Sequence, residues 1–400
     1  MNIHEYQAKK ILADYGVKIP AGQVAYTPKE ALAVAGNISK SGPWVLKAQI
    51  QSGARQSGYF LEKEAGEEGG IRKVTDKRRI AAQAQQMLGK TLVTIQTGAA
   101  GKRVNKIYIE AFQKVKQIFY MAITIDRIAA EMVLLAANVS DGDILSLAIN
   151  QPQKILHLPL SNDDSITADQ IDILQKFLHL PRKAEKNLQN FVCGLQKVFW
   201  DLDASMIEIN PVGVDTSGQL WALDAKITFD DNGLYRHPEI AALKDECSMD
   251  DLELQASRYK FTYHEFNGAV GCVVNGDGIA LSAMDLLKEK GSGASCFINV
   301  KGGVDKDKIA AGIKIIMTNP RVEGILLNIL GGFVRCNLIA DGIIAAASEV
   351  GLNVPMVIRF EGTNKDIAKE ILDNSHLPIV WADTLEDAVD KLLGEMERAV

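Results

Sequence analysis

Glu208, Asn210 and Asp224 are the residues of this 400-residue chain whose types and spacing point most directly to chemistry. The first two lie in Ile207-Glu208-Ile209-Asn210-Pro211, and the third follows in Leu223-Asp224-Ala225-Lys226. Residues 206–209 and 220–225 read as short strands, and Asp215-Thr216-Ser217-Gly218 between them is turn chemistry, so the pattern predicts a hairpin. A hairpin would gather an amide oxygen and two carboxylates. Oxygen ligands of this kind suit Mg²⁺, which takes one or two protein oxygens and leaves the rest of its shell to water and phosphate. The plainer alternative is that Asn210-Pro211 ends a strand and Asp224 caps a helix.

Two further stretches could meet anions. Lys47 interrupts the apolar run Pro43-Trp44-Val45-Leu46-Lys47-Ala48. An unpaired lysine is costly to bury, so it lies either at a sheet edge or against an anion. Directly after it come Ser52-Gly53-Ala54-Arg55-Gln56-Ser57-Gly58 and Gly66-Glu67-Glu68-Gly69-Gly70. Glycines with a basic residue after a strand can present backbone N–H groups to phosphate. The segment matches neither the P-loop nor the dinucleotide fingerprint.

The elements that must position these groups differ between the two halves. Residues 4–15 predict an amphipathic helix stopped by Gly16, and capping boxes at Thr27-Pro28-Lys29-Glu30 and Thr167-Ala168-Asp169-Gln170 start two more. Strand patterns at 92–96, 106–111, 118–125 and 132–136 predict an antiparallel sheet and an α+β domain. Residues 151–200 predict helix, with a core-facing stripe over 188–198. The acidic stretch 228–267 is the expected interdomain connection. Beyond it, short apolar strands alternate with helices, which predicts an α/β, doubly wound parallel sheet. Four strand–glycine–helix junctions follow, at Asn275-Gly276, Lys301-Gly302-Gly303, Gly331-Gly332 and Glu361-Gly362. Ligands of such sheets bind at the carboxyl ends of the strands, where helix N-termini offer free N–H groups. Leu330-Gly331-Gly332-Phe333-Val334 has no acid at the turn and is the preferred anion site.

Composition bounds the rest. An apolar content of 47% with 24% charged residues is globular. A net charge of −6 argues against a general nucleic-acid or acidic-membrane binder. Cys193, Cys247, Cys272, Cys296 and Cys336 form no C-x-x-C pair, so neither a zinc site nor a disulfide framework is expected. No apolar run is long enough to cross a bilayer. Met1-Asn2-Ile3-His4-Glu5 lacks the features of a signal peptide, so a cytoplasmic chain is expected. None of the six histidines is assigned a catalytic role.

The chain resembles the beta subunits of succinate–CoA ligase (succinyl-CoA synthetase), with the malate–CoA ligase beta chains close beside them. The resemblance rests on Met1-Asn2-Ile3-His4-Glu5-Tyr6-Gln7-Ala8-Lys9, Ile207-Glu208-Ile209-Asn210-Pro211, Val274-Asn275-Gly276, residues 327–336 and Leu338-Ile339-Ala340-Asp341-Gly342-Ile343-Ile344. It implies an ATP-grasp domain over 1–245 and a flavodoxin-like CoA-ligase domain over 246–400. It implies an alpha partner that carries a phosphorylated histidine and most of the CoA site, in an αβ or α2β2 assembly. ATP or GTP, Mg²⁺, succinate and CoA would be the small molecules. Carried over by position, Lys47, Ala54, Arg55, Gln56, Glu110 and Gln113 would bind nucleotide, and Asn210 and Asp224 would hold Mg²⁺. Glu208 would be catalytic, facing the histidine. Asn275, Gly332, Phe333 and Val334 would form the succinate and phosphohistidine site.

Departures cluster near the nucleotide. The family's phosphate-covering loop reads H-A-G-G-R-G-K, where this chain has Gln51-Ser52-Gly53-Ala54-Arg55-Gln56-Ser57, followed by an insertion before Gly69-Gly70. A family acid falls on Ile118, a triple glycine on Lys301-Gly302-Gly303, and an aspartate on Asn337. The retained Lys47, Glu208, Asn210 and Asp224 favour an active ligase. The altered loop favours the second reading, a degenerate paralogue kept as a binding or regulatory scaffold.

Overall fold

The computed structural model describes residues 1–138, 144–161, 166–246, 251–300, 305–332 and 334–399. The chain divides into two units, Met1–Ser248 and Met249–Val400.

Among the described residues of the first unit every strand pairing is antiparallel. One sheet runs in the order Gly22–Ala25, Ile107–Ala111, Trp44–Ala48, Ile71–Val74. Trp44–Ala48 is therefore an interior strand, which rules out the edge position for Lys47. A larger sheet runs Leu156–Leu160, Glu131–Asn138, Gln117–Asp126, Ala204–Val214, Leu220–Ala222, and Lys226–Phe229 also pairs with Ala204–Val214. The strand Leu156–Leu160 corrects the expectation of continuous helix over 151–200. Leucines at 156, 158 and 160 alternate with His157 and Pro159, a period of two, and Pro159 is tolerated because the strand is at the sheet edge.

The helix Glu185–Asp201 buries Leu188, Phe191, Val192, Leu195, Val198 and Phe199, the three-and-four spacing of one helical face, against the larger sheet. Each such side chain stabilises the fold by about 1.5–3 kcal/mol when fully buried. Gly194 on this helix lets the turn after the first helix come close, since a Cβ there would stand 2.7 Å from Val17 Cγ2 and 3.0 Å from Tyr15 O. That first helix, Glu5–Asp14, ends before Gly16 at φ +84° and buries Ala8, Lys9, Ile11 and Leu12. His4 Nε2 lies 2.5 Å from Asp245, and Gln7 donates to Leu243 O at 3.0 Å. The N-terminal turn of the helix is thus held, which helps fix the direction in which Glu5 and Lys9 point.

Among its described residues the second unit has one sheet, in the order Thr262–Glu265, Ala294–Asn299, Val270–Val274, Gly324–Gly331, Met356–Gly362, Ile379–Trp381. All pairings are parallel except that of Thr262–Glu265. Val270–Val274 is buried throughout, as a strand covered on both faces must be. Chain order reverses between Val270–Val274 and Gly324–Gly331, the position where ligands of such sheets bind. The stretch 228–267 is only partly a connection. Lys226–Phe229 completes a sheet of the first unit, and Asp251–Arg258 and Thr262–Glu265 belong to the second. Phe261 and Tyr263 turn inward while His264 and Glu265 face solvent, so a polar composition here marks an edge strand. No described helix is long and apolar enough to cross a membrane.

Candidate functional site

The predicted hairpin exists, with a different outline. Its first strand runs past Asn210-Pro211 to Val214, and the register shifts between Ile209 and Val212. Its second arm is broken: Leu220–Ala222 and Lys226–Phe229 pair with the long strand, and Leu223-Asp224-Ala225 stands between them outside the ladder. Asp224 caps no helix. Proline lacks the N–H that a ladder requires, so the interruption at Pro211 faces the one at Asp224. Leu223 N donating to Pro211 O at 3.1 Å ties the two together.

These interruptions open onto a cavity of about 560 Å³. Lys47, Ala54, Arg55, Gln56, Glu110 and Gln113 line it, as do Glu208, Asn210 and Asp224. All nine positions assigned to nucleotide, metal and catalysis thus share one wall system, although they are spread over 178 residues of sequence (224 − 47 + 1). Ile118, where the family has an acid, lines the same space.

Behind the wall is a cluster of three cations and three carboxylates. Lys47 Nζ lies 2.7 Å from Glu5, 2.7 Å from Glu110 and 2.5 Å from Leu223 O. Lys9 Nζ meets the same three groups at 3.0, 2.5 and 2.7 Å. Arg55 Nη2 donates to both carboxylate oxygens of Asp224 at 2.9 and 2.6 Å and stands 2.8 Å from Glu5. Burial works to raise Glu5, but Lys47, Lys9 and Arg55 together hold its carboxyl well below the ordinary range. Burial likewise works against the charge on Lys47, and Glu5, Glu110 and Asp224 overcome it and raise its pKa. Asp224 is different: burial raises its carboxyl, and Arg55 offsets only part of that. Glu208 is also pushed up by burial, with Lys226 opposing and Asp224 adding. Glu208 therefore keeps its proton at higher pH than a surface glutamate does.

Glu5 and Lys9 were missed by reading motifs. The signal was present: they are an i, i+4 pair, and Lys9 falls on the buried face with Ala8 and Leu12. A lysine on an apolar helical stripe needs an anion.

The loop beside the cavity is held from below. Arg55 O accepts from Gly70 N at 2.8 Å, and Gly70 O accepts from Ala48 N at 2.7 Å, so the inserted segment closes back onto the strand that carries Lys47. Arg72 is buried and donates to the carbonyls of Ala65, Glu68 and Gly69. Ala54 has φ +56°, the left-handed region, at a position where the family loop has glycine.

The donors fit Mg²⁺. Among the described residues no group of three or more His, Cys, Asp or Glu could hold a metal alone. Asn210 and Asp224 instead line one cavity with two hard oxygens, the small number that Mg²⁺ uses when phosphate and water complete its shell. That of Asp224 becomes free once Arg55 leaves it.

In the second unit Asn275 sits at the carboxyl end of Val270–Val274 and exchanges two bonds with Leu330: Nδ2 donates to Leu330 O at 2.6 Å, and Leu330 N donates to Oδ1 at 2.8 Å. Its amide is thereby directed at the turn backbone. A Cβ on Gly331 would stand 2.7 Å from Val334 O, whereas one on Gly332 would meet nothing within 4 Å. Gly332 and Val334 flank Phe333, which lies outside the described residues, as does Lys301-Gly302-Gly303. The following helix, Cys336–Val350, has Arg335 at its N-cap, and its Cys336 N–H already donates to Thr363 O at 3.1 Å. Asn337 accepts from Asn364 Nδ2 at 2.8 Å.

Comparison with known proteins agrees with both units. The ATP-grasp domain family matches residues 2–214, and the CoA-ligase family matches residues 273–393. The succinate–CoA ligase [ADP-forming] subunits beta of Rhodospirillum rubrum and Acidiphilium cryptum are each 42% identical to this chain, with all of both chains covered. That of Paracoccus denitrificans is 43% identical over 98% of this chain and 99% of its own. Among solved structures, ATP citrate lyase from Methanothrix soehngenii in complex with citrate and coenzyme A matches with a TM-score of 0.72. It covers 98% of this chain and 99% of that chain at 17% identity, a likeness of fold alone. An ATP-grasp domain followed by a CoA-ligase domain, and full-length identity above two fifths, place the chain in the family of succinate–CoA ligase beta subunits.

Proposed function

We propose that this chain is the nucleotide-handling beta subunit of an ADP-forming succinate–CoA ligase. In this reading residues 1–245 bind ATP, residues 246–400 receive the phosphoryl group, and an alpha subunit supplies the phosphorylated histidine and most of the CoA site. The observation that carries it is the convergence of all nine first-unit positions on one 560 Å³ cavity.

Lys47 stands on the cavity wall with its charge secured by Glu5 and Glu110, ready to exchange a carboxylate for a phosphate oxygen. Arg55 is placed by Gly70 and Ala48 to meet the same phosphates once it leaves Asp224. Asn210 and Asp224 would hold Mg²⁺, which neutralises charge on the transferring phosphoryl group. Glu208, whose carboxyl burial pushes up, lines the same cavity and could hydrogen-bond an entering imidazole and orient the ring. Gly332 and Val334, on the turn clamped by Asn275, would receive the anion on backbone N–H groups. Phosphoryl transfer depends mainly on such positioning and charge neutralisation. The setting is cytoplasmic, with an αβ or α2β2 assembly.

The test combines this chain and an alpha subunit from the same cell with Mg²⁺, CoA, ATP or GTP, and succinate or malate in turn, following thioester absorbance. Thioester with succinate and ATP supports the reading, and malate turnover alone reassigns the acid. An assembled complex that makes no thioester with any acid and does not label the alpha histidine supports the scaffold reading. That second reading has one observation in its favour, the occupation of Asp224 by Arg55 from the altered loop.

A further inference from the structure

Lys9 makes every contact that Lys47 makes, and only Lys47 reaches the cavity wall. Both ammonium groups meet Glu5, Glu110 and Leu223 O, at distances between 2.5 and 3.0 Å. Lys9 is fully buried, while Lys47, Glu5 and Glu110 line the cavity. One lysine therefore stands in front and a duplicate stands behind it. Lys9, Lys47 and Arg55 balance Glu5, Glu110 and Asp224, three charges against three.

We propose that Lys9 is a positioning residue for phosphate capture: it remains with Glu5 and Glu110 as their counter-ion when Lys47 turns to a phosphate. The inference rests on the nucleotide reading above. Its physical basis is the cost of leaving a buried carboxylate without its partner, which is far larger than the value of the pair itself. Without Lys9, moving Lys47 by even a few ångströms would strand Glu110 and leave Glu5 with Arg55 alone, in a poorly solvated site. With Lys9 behind, the exchange leaves each carboxylate paired. Leu223 O also keeps a donor, so the backbone next to Asp224 is not released at the same moment.

The test uses the full-length chain with Mg²⁺ and ADP as the probe, and isothermal titration calorimetry as the readout. Lys9→Met is expected to weaken ADP binding by roughly ten-fold or more and to leave adenosine binding unchanged, because Lys47 would meet only phosphate. Equal weakening of ADP and adenosine would reduce Lys9 to a structural role and overturn the proposal. The double variant Lys9→Met/Glu5→Gln restores charge balance. It is expected to recover the melting temperature while ADP binding stays weak, since Lys47 is then the sole partner of Glu110. Recovery of both properties, or a double variant that folds no better than Lys9→Met, overturns the proposal. Wild-type chain that binds no ADP removes the nucleotide reading as well, whereas normal ADP binding by Lys9→Met removes this inference alone.

Discussion

As proposed receivers of an anion, the two units are built in opposite ways. In Met1–Ser248 the cavity is backed by six ionised side chains drawn from five separate places: the first helix, two interior strands, the loop at Arg55 and the strand break at Asp224. In Met249–Val400 the turn after Gly324–Gly331 contains no carboxylate and is shaped by backbone bonds, with Asn275 clamped to Leu330 and Gly331 in register with Gly362. A charged site holds its ligand strongly but must stay balanced while partners exchange. A site of peptide N–H groups needs no counter-ion, and it is spoiled by any added negative charge.

That contrast can be broken at several points. The largest effect is expected for Asp224→Ala, which removes the proposed metal oxygen and leaves Arg55 with Glu5 as its carboxylate partner. Mg²⁺-dependent labelling of the alpha histidine by radioactive ATP should fall by about 100-fold or more, with assembly intact by gel filtration. Labelling at the wild-type rate would remove Asp224 from the metal site. Next is Gly332→Glu. The space around Gly332 is open, so the fold should survive, and a carboxylate on the turn proposed to receive the anion should lower thioester synthesis by at least roughly ten-fold. Unaltered synthesis would dismiss that turn as the second site.

Asn275→Ala probes the neutral site for stability. It leaves Leu330 N–H and C=O to water and should cost about 0.5–1.5 kcal/mol, read as a lower urea midpoint. A midpoint within error of wild type would show that the clamp contributes nothing. Glu5 probes the charged site through pH. Lys47, Lys9 and Arg55 hold its folded-state carboxyl well below the ordinary glutamate value of 4.5, so it binds a proton more readily in the unfolded chain. Its contribution is therefore present above about pH 4.5 and lost as pH falls below that value. Glu5→Gln should remove up to one proton from the acid slope, about 1.4 kcal/mol per pH unit. Urea titrations between pH 5 and 4 measure it, and an unchanged slope would count against the buried cluster. The smallest effect is expected for Ala54→Gly, which relieves a left-handed alanine and should stabilise the chain by roughly 1 kcal/mol. A loss of melting temperature there would mean the left-handed conformation carries no strain.

Much of this arrangement was legible in residues alone. Alternating strands and helices in the second half announced a parallel sheet, and the structure adds only the antiparallel edge Thr262–Glu265. Helix starts at Thr27 and Thr167 were legible because their side chains accept from the N–H groups of Glu30 and Gln170, bonds between near neighbours. The partners of Lys47 were not legible, because Glu5 and Glu110 lie 42 residues before it and 63 after it (110 − 47). Nor was the break at Leu223-Asp224-Ala225, since apolar residues flank Asp224 as they would in an unbroken strand.

The amino-acid sequence by itself determined the order of elements, the glycine turns of the second unit and the identity of the residues proposed to bind metal and phosphate. These depend on local backbone preference and side-chain chemistry, which act within a few residues. Only the tertiary structure decided which charges stand together, that Lys47 is interior to its sheet, and that Lys9 duplicates it from behind. A buried charge is stable only beside its opposite, and the packing of distant elements determines which opposites meet.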